Sequence, residues 1–379
     1  MNKLTTAIKL SLCALALGIN VAAFGQPVIT SFSGNGALVC SNLAPGSVAT
    51  VEWASSLSGP WQTNWAALAA VTADTNGAIS VSVPMFYRVC GVAQTNSTPT
   101  TTADGMALIP AGSFTMGDTL DGAADATPTN IYVSAFYMDT NLVQLSQWQT
   151  VYNWATSNGY GFDYAGSGKA TNHPVQSVDW YNVVKWSNAR SQQTGLTPVY
   201  YTDAELTQVY TNGDTDAVYP NWAANGYRLP TEAEWEKAAR GGSSGQRFPW
   251  GNLISETNAN YYGCLSGCGF NYDLGPNGYN SIGLIGGGPC TSPVGSFAPN
   301  GYGLYDMEGN VWEWCWDWYG TPYGQPTPTN PIGPVTGNNR VFRGGSWLDV
   351  AVLARCADRG YTYPGNFYNN TGFRCVRGF

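Results

Sequence analysis

A single histidine, His173, stands among 379 residues, so a metal centre built from several imidazoles is excluded by count. Charge is scarce as well: 11% of residues are Asp, Glu, Lys or Arg, and no basic cluster offsets a formal net charge of −8. Such a surface repels nucleic acid and anionic lipid, which excludes both as partners. Long apolar runs are missing apart from LSLCALALGINVAAF near the N-terminus. That run follows MNKLTTAIK and ends at small residues before Gln26, the pattern of a secretory leader over residues 1–25. It is too short for a membrane span. The expected mature chain is exported to the periplasm or beyond, carries a charge near −10 without Lys3 and Lys9, and keeps eight cysteines once Cys13 is gone.

What the chain has in quantity is 46 glycines, 22 prolines, 15 tryptophans and 23 tyrosines. This suits a turn-rich domain with aromatic packing, and carbohydrate-handling surfaces share the composition. An even cysteine count in an exported chain favours disulfides, but eight cysteines allow on the order of 100 pairings.

Residues 26–92 carry short apolar runs (VITSF, ALVC, ATVEW, ISVSV, FYRVC) between turn signals, the pattern of a small antiparallel β-domain. Cys40 and Cys90 lie in two of those runs, and a bridge between them is expected. AQTNSTPTTTAD, residues 93–104, reads as a linker, and a second domain follows from 105 to 379. Within it, MALIPAGSFTMGD reads as a strand and a tight loop. Helical spacing appears in LSQWQTVYNWATSNG, in VDWYNVVKWSNARSQQTG after the cap Asp179, and in LPTEAEWEKAARGG, where Thr231 and Glu234 form a capping box. From 245 to 340 the helical signal vanishes, and so much irregular backbone calls for disulfides or metal ions as staples.

Four stretches occur in fixed order: NHPVQSVDWYNV (172–183), YRLPTEAEWEKAARGG (227–242), NGYGLYDMEGNVWEW (300–314), and RVFRGGSW followed by TGFRC (340–347 and 371–375). Together they resemble the formylglycine-generating enzyme family, the sulfatase-modifying-factor domain, over about residues 105–379. The resemblance implies an α+β, C-type-lectin-like, loop-rich fold with bound calcium, here in a bacterial exported protein. It places one calcium on Asp306, Glu313 and the carbonyls of Gly309 and Val311, oxygen donors that suit a hard cation. A second calcium would use Asn260 and the carbonyl of Tyr261, although no acid follows where the family carries one.

Oxidising members of the family hold copper(I) on two cysteines just after R-G-G-S and convert a substrate cysteine to formylglycine. Soft thiolates suit that ion. Here Asp349 stands at the first cysteine position and the second is missing, so copper is not expected. Cys356 and Cys375 match positions that the family uses for structural bridges, yet Trp186 and Ala239 occupy their partners' places. They are expected to pair with each other or with Cys315. Cys264 and Cys268 are expected to form a local disulfide or to bridge to Cys290, rather than to hold zinc.

Three readings follow. One is a non-catalytic, calcium-stabilised module that binds a peptide, protein or glycan. Another is a formylglycine-generating oxidase with relocated ligands such as Cys315 and Cys356. The last is a different enzyme built on Asp349, with Ser346 and Trp312 lining the cleft beside Trp347. His173 lacks any nucleophile signature that would make it part of a triad.

Overall fold

Thr231 and Glu234 close the expected capping box: Glu234 N donates to Thr231 Oγ1 at 3.2 Å and Thr231 N to Glu234 Oε2 at 2.8 Å. The computed structural model describes residues 28–32, 37–41, 43–53, 71–82, 87–91, 104–265, 267–284, 286–287, 290–321, 323 and 328–378. The leader expected over 1–25 lies outside the described residues, as does all of the 93–104 linker except Asp104.

The chain divides into two compact units, Met1–Thr98 and Pro99–Phe379. In the first, six described strands form two antiparallel sheets. Val28–Phe32, Ala37–Ser41 and Ile79–Ser82 make one, and Val71–Thr72, Val48–Trp53 and Tyr87–Gly91 the other. Cys40 and Cys90 therefore sit in different sheets. Cys40 is a buried free thiol, against the bridge expected to Cys90, whose side chain lies outside the described residues.

In the second unit, helix α1 spans Leu145–Ser157, α2 Trp180–Gln193 and α3 Glu232–Ala239. Helix α1 has no side-chain cap; its first amides donate to loop carbonyls instead, Leu145 N to His173 O at 2.9 Å and Ser146 N to Thr171 O at 3.0 Å. Asp179 caps α2 by accepting from Asn182 N at 2.7 Å. Between α1 and α2, Trp148 stacks on Trp186 at 5.6 Å, and Phe373 meets both rings edge-on. Buried indoles need acceptors, and carbonyls supply them: Trp148 donates to Ala165, Trp186 to Trp148, Trp180 to Cys315 and Trp314 to Val178.

A four-stranded sheet runs Gly360–Thr362, Arg340–Arg343, Trp312–Trp318, Thr371–Gly372. Its strand Trp312–Trp318 falls inside the stretch read from sequence as irregular. Every residue of it is buried, so the alternation that marks a half-exposed strand is absent. A second sheet sets the C-terminal Val376–Arg377 and the early Met106–Ile109 on either side of Phe136–Asp139. The two ends of the unit are thereby tied together.

Buried guanidinium groups join the loops. Arg374 holds Glu313 through Nε and Nη2 at 2.7 and 2.8 Å and also reaches the carbonyls of Asp139, Thr140, Tyr305 and Asp306. Arg343 pairs with Glu236 and with the carbonyls of Cys356 and Asp358. Arg374→Met would leave Glu313 charged and buried, and is expected to destabilise the fold by about 3–5 kcal/mol in denaturant unfolding. Adding Glu313→Gln is expected to recover part of that loss. A single-variant cost below about 1 kcal/mol would show that Glu313 finds other support.

Candidate functional site

The site grows from the turn after strand Arg340–Arg343. Gly344 and Gly345 have φ of +96° and +69°, and an added Cβ would come within 2.8 Å of the Met307 and Leu353 carbonyls respectively. Only glycine fits both demands. The turn places Ser346 fully buried, with its hydroxyl donating to Asp349 Oδ2. The same Ser346 oxygen accepts from Asn370 Nδ2 at 3.0 Å and from Leu348 N at 3.3 Å. Trp312 lies close enough to favour the charged Asp349 carboxylate, while Asp349 N donates to Ser346 O at 3.0 Å. The Asp349 carbonyl accepts from Tyr262 N at 2.9 Å. Burial pushes this carboxyl above the usual range, against the pull of the Ser346 and Trp312 donors.

Ser346, Asp349 and Trp312, named separately from sequence, thus form one clasp. The Ser346 proton goes to a carboxylate, its lone pairs to two N–H groups, and the residue is fully buried. His173 is elsewhere engaged, with Nδ1 2.9 Å from Thr291 Oγ1. Sequence reasoning missed Asn370, whose one signal is its place in a YNNTG turn ahead of a short strand.

The thiols do not assemble into a pair at this clasp. Cys264 and Cys268 form the local disulfide. Cys290 is a free thiol of intermediate exposure, so the alternative bridge to it is not made. Cys315, Cys356 and Cys375 are free and fully buried, which overturns the pairings expected among them. Cys375 packs in the cluster around α1 and α2, 3.7 Å from Ser187 Oγ, whereas Cys315 and Cys356 belong to the other main cluster. Cys356 Sγ donates to Glu308 Oε1 at 3.4 Å. Burial pushes both Cys315 and Cys356 well above the ordinary thiol range, and Cys375 up to about 12. Protonated thiols in an apolar core are poor ligands for copper(I). Trp186 and Ala239, at the places of the absent cysteine partners, are filled into the core.

In the 306–313 loop, where a calcium was expected, Arg374 holds both Glu313 oxygens, which leaves Asp306 as the uncommitted carboxylate. Asp306 has φ of +52° and Gly309 +79°, and a Cβ on Gly309 would strike the Asn260 carbonyl at 2.4 Å. Asp306 Oδ2 accepts from Gly295 N at 2.7 Å, while its Oδ1 is buried with no hydrogen bond. That orphaned oxygen lies within electrostatic reach of Glu313, and burial raises the Asp306 carboxyl to about 6. Around the second expected site, at Asn260 and the Tyr261 carbonyl, several neighbouring polar groups are engaged. Asn260 turns its amide nitrogen to Cys290 O, its carbonyl accepts from Asn310 N, and Lys169 Nζ sits 2.9 Å from the neighbouring Gly283 carbonyl. Tyr261 donates its hydroxyl to Asp273, whose two oxygens are filled by that bond and by the Cys264 and Gly275 amides.

Few helices, small sheets and long buried loops of this kind define a C-type-lectin-like domain, and known structures agree. CarF matches with 28% identity and a TM-score of 0.53 over 72% of this chain and 97% of that one. Treponema denticola variable protein 1 matches with 26% identity and the same score, over 72% and 94%. Residues 92–379 match the Sulfatase-modifying factor enzyme 1-like domain, and the chain belongs to that family. The formylglycine-generating enzyme of Bos taurus is 34% identical over 72% of this chain and 74% of its own. That of Thermomonospora curvata is 33% identical over 73% and 95%. The chaperone protein LppX of Paenibacillus barcinonensis is 32% identical over 73% and 91%.

Because the folded state holds the Asp349 proton more tightly than the unfolded chain does, its contribution is greatest below the ordinary value of about 3.9 and falls as pH rises through the folded value. Asp349→Asn, always neutral, lacks that fall. Between pH 4 and pH 7 the variant's denaturant midpoint is expected to gain on the wild type. A constant difference across that range would show that ionised Asp349 carries no penalty.

Proposed function

We propose that the chain is an exported, non-catalytic binding module of the sulfatase-modifying-factor family, and the observation that carries this is the Ser346–Asp349–Trp312 clasp. It fills the place of the family's first copper cysteine with a carboxylate that Ser346 and Trp312 attend. The remaining thiols offer no substitute, since Cys315 and Cys356 are protonated in the core. A family member named as a chaperone supports roles for this scaffold other than oxidation.

The binding face proposed is the surface bordering the clasp. Trp347 Nε1 donates to Asn369 O and Asn370 to Ser346, which anchors the 361–370 loop there. On that loop Tyr361, Tyr363, Phe367 and Tyr368 are each between 44% and 55% exposed, a density of open aromatics that suits an extended peptide or a glycan. The first unit, with its two small sheets, is proposed as an all-β spacer or second binding unit. Calcium is proposed at the 306–313 loop on the free oxygen of Asp306 with the Gly309 and Val311 carbonyls beside it, and Glu313, whose two oxygens are held by Arg374, would have to share that arginine to join them. Bound there, the ion would neutralise the buried Asp306 and hold the loop without taking part in any reaction.

Copper(I) competition against a chromogenic chelator, run with oxygen uptake on a cysteine peptide, tests the reading. Neither tight copper binding nor turnover is expected. Turnover abolished by Cys315→Ser or Cys356→Ser would establish the oxidase instead.

For calcium, chelator is expected to lower the Tm of the wild type and to leave Asp306→Ala unmoved. At about 100 times its Kd, a ligand specific to the folded state stabilises by about 2.7 kcal/mol. A wild-type Tm indifferent to chelator removes the ion from the proposal.

A further inference from the structure

A cavity of about 200 Å³ opens between the strand Gly112–Met116 and the C-terminal end of α3, and none of its lining residues belongs to the clasp. Phe114 and Tyr302 line it as aromatic walls, Ser243 and Ser244 as hydroxyl-bearing ones, and Lys237 and Arg240 come from α3 and its cap.

Lys237 is the unusual member. It is 5% exposed, and its Nζ donates to two neutral acceptors, Gly112 O at 2.9 Å and Val133 O at 3.2 Å. Among the described residues no carboxylate pairs with it. Glu236, its neighbour in sequence, is taken by Arg240, Arg343 and the Gly117 amide. Arg240 in turn gives four of its five N–H groups to Glu236 and the carbonyls of Gly117 and Gln246. The Tyr302 phenol is held neutral by burial, and the strand residues that line the cavity carry no charge. The α3 terminus favours a cation, but desolvation dominates and lowers the Lys237 pKa. Burial without a carboxylate partner favours the neutral form, whose two N–H groups would match the two carbonyls and leave one lone pair.

We propose that this cavity is a site for small uncharged aldehydes, which condense with the Lys237 amine to an imine. The nitrogen lone pair attacks the carbonyl carbon, proton transfer gives a carbinolamine, and loss of water forms the C=N bond. Nothing is oxidised or reduced, and hydrolysis reverses the step. Arg240 is already ion-paired with Glu236, and the aromatic walls of Phe114 and Tyr302 suit an aromatic or aliphatic aldehyde best.

The chain has five lysines, of which Lys3 and Lys9 lie in the expected leader. Lys169 and Lys185 then serve as references, the latter a cation 3.5 Å from both Asp163 and Asp214. The mature protein is treated with benzaldehyde and cyanoborohydride at pH 7, and benzylated lysines are mapped by mass spectrometry. Lys237 is expected to be trapped at least about tenfold faster than Lys169. Lys237→Arg abolishes labelling at that position. Ser244→Trp, which narrows the cavity and leaves the amine in place, slows it. Equal labelling of Lys169 and Lys237, an unlabelled Lys237 in the folded protein, or a Ser244→Trp variant labelled at the wild-type rate would each overturn the proposal.

Discussion

The second unit depends on arginines buried among backbone carbonyls. Arg374 alone joins the carbonyls at 139 and 140, those at 305 and 306, and the carboxylate of Glu313. Segments far apart in sequence meet on one planar group because a guanidinium carries five fixed donors. Arg359 does the same for Glu232 and the carbonyls of Asp125 and Gly320. Such pairs cost desolvation energy, so they determine which loops meet more than they add net stability. Irregular chain without regular hydrogen-bond ladders needs that kind of direction.

The local signals were legible in the sequence. Thr231 with Glu234 and Asp179 with the run after it gave helix starts, whereas R-G-G-S stood out only as a family motif. Long-range consequences were less so. The strand Trp312–Trp318 is buried on both faces, which erases the period-two pattern. Cysteine parity suggested bridges, but parity says nothing about which thiols approach, and Cys375 and Cys356 settle in separate clusters. The staples were sought in sulfur and metal, whereas the arginines that do much of the work look like ordinary scattered charges until their carbonyl partners are known.

At the clasp, sequence named the residues and structure supplied the relation. A carboxylate three residues after a buried serine reads as a lone acid in a list. In space it receives that serine's proton, and Asn370 closes the other side. Positions beside the family's reactive centre thus hold one another through hydrogen bonds.

Only one disulfide, Cys264–Cys268, joins described residues, and it closes a loop of a few residues. A domain held by guanidinium groups has no need to wait for an oxidant in order to mature. Wrong arginine contacts dissolve and re-form as fast as side chains move, while a wrong sulfur bridge must be reduced before it can be corrected. The free core thiols, Cys315 and Cys356 in one cluster and Cys375 in another, are kept from each other by the packing that buries them.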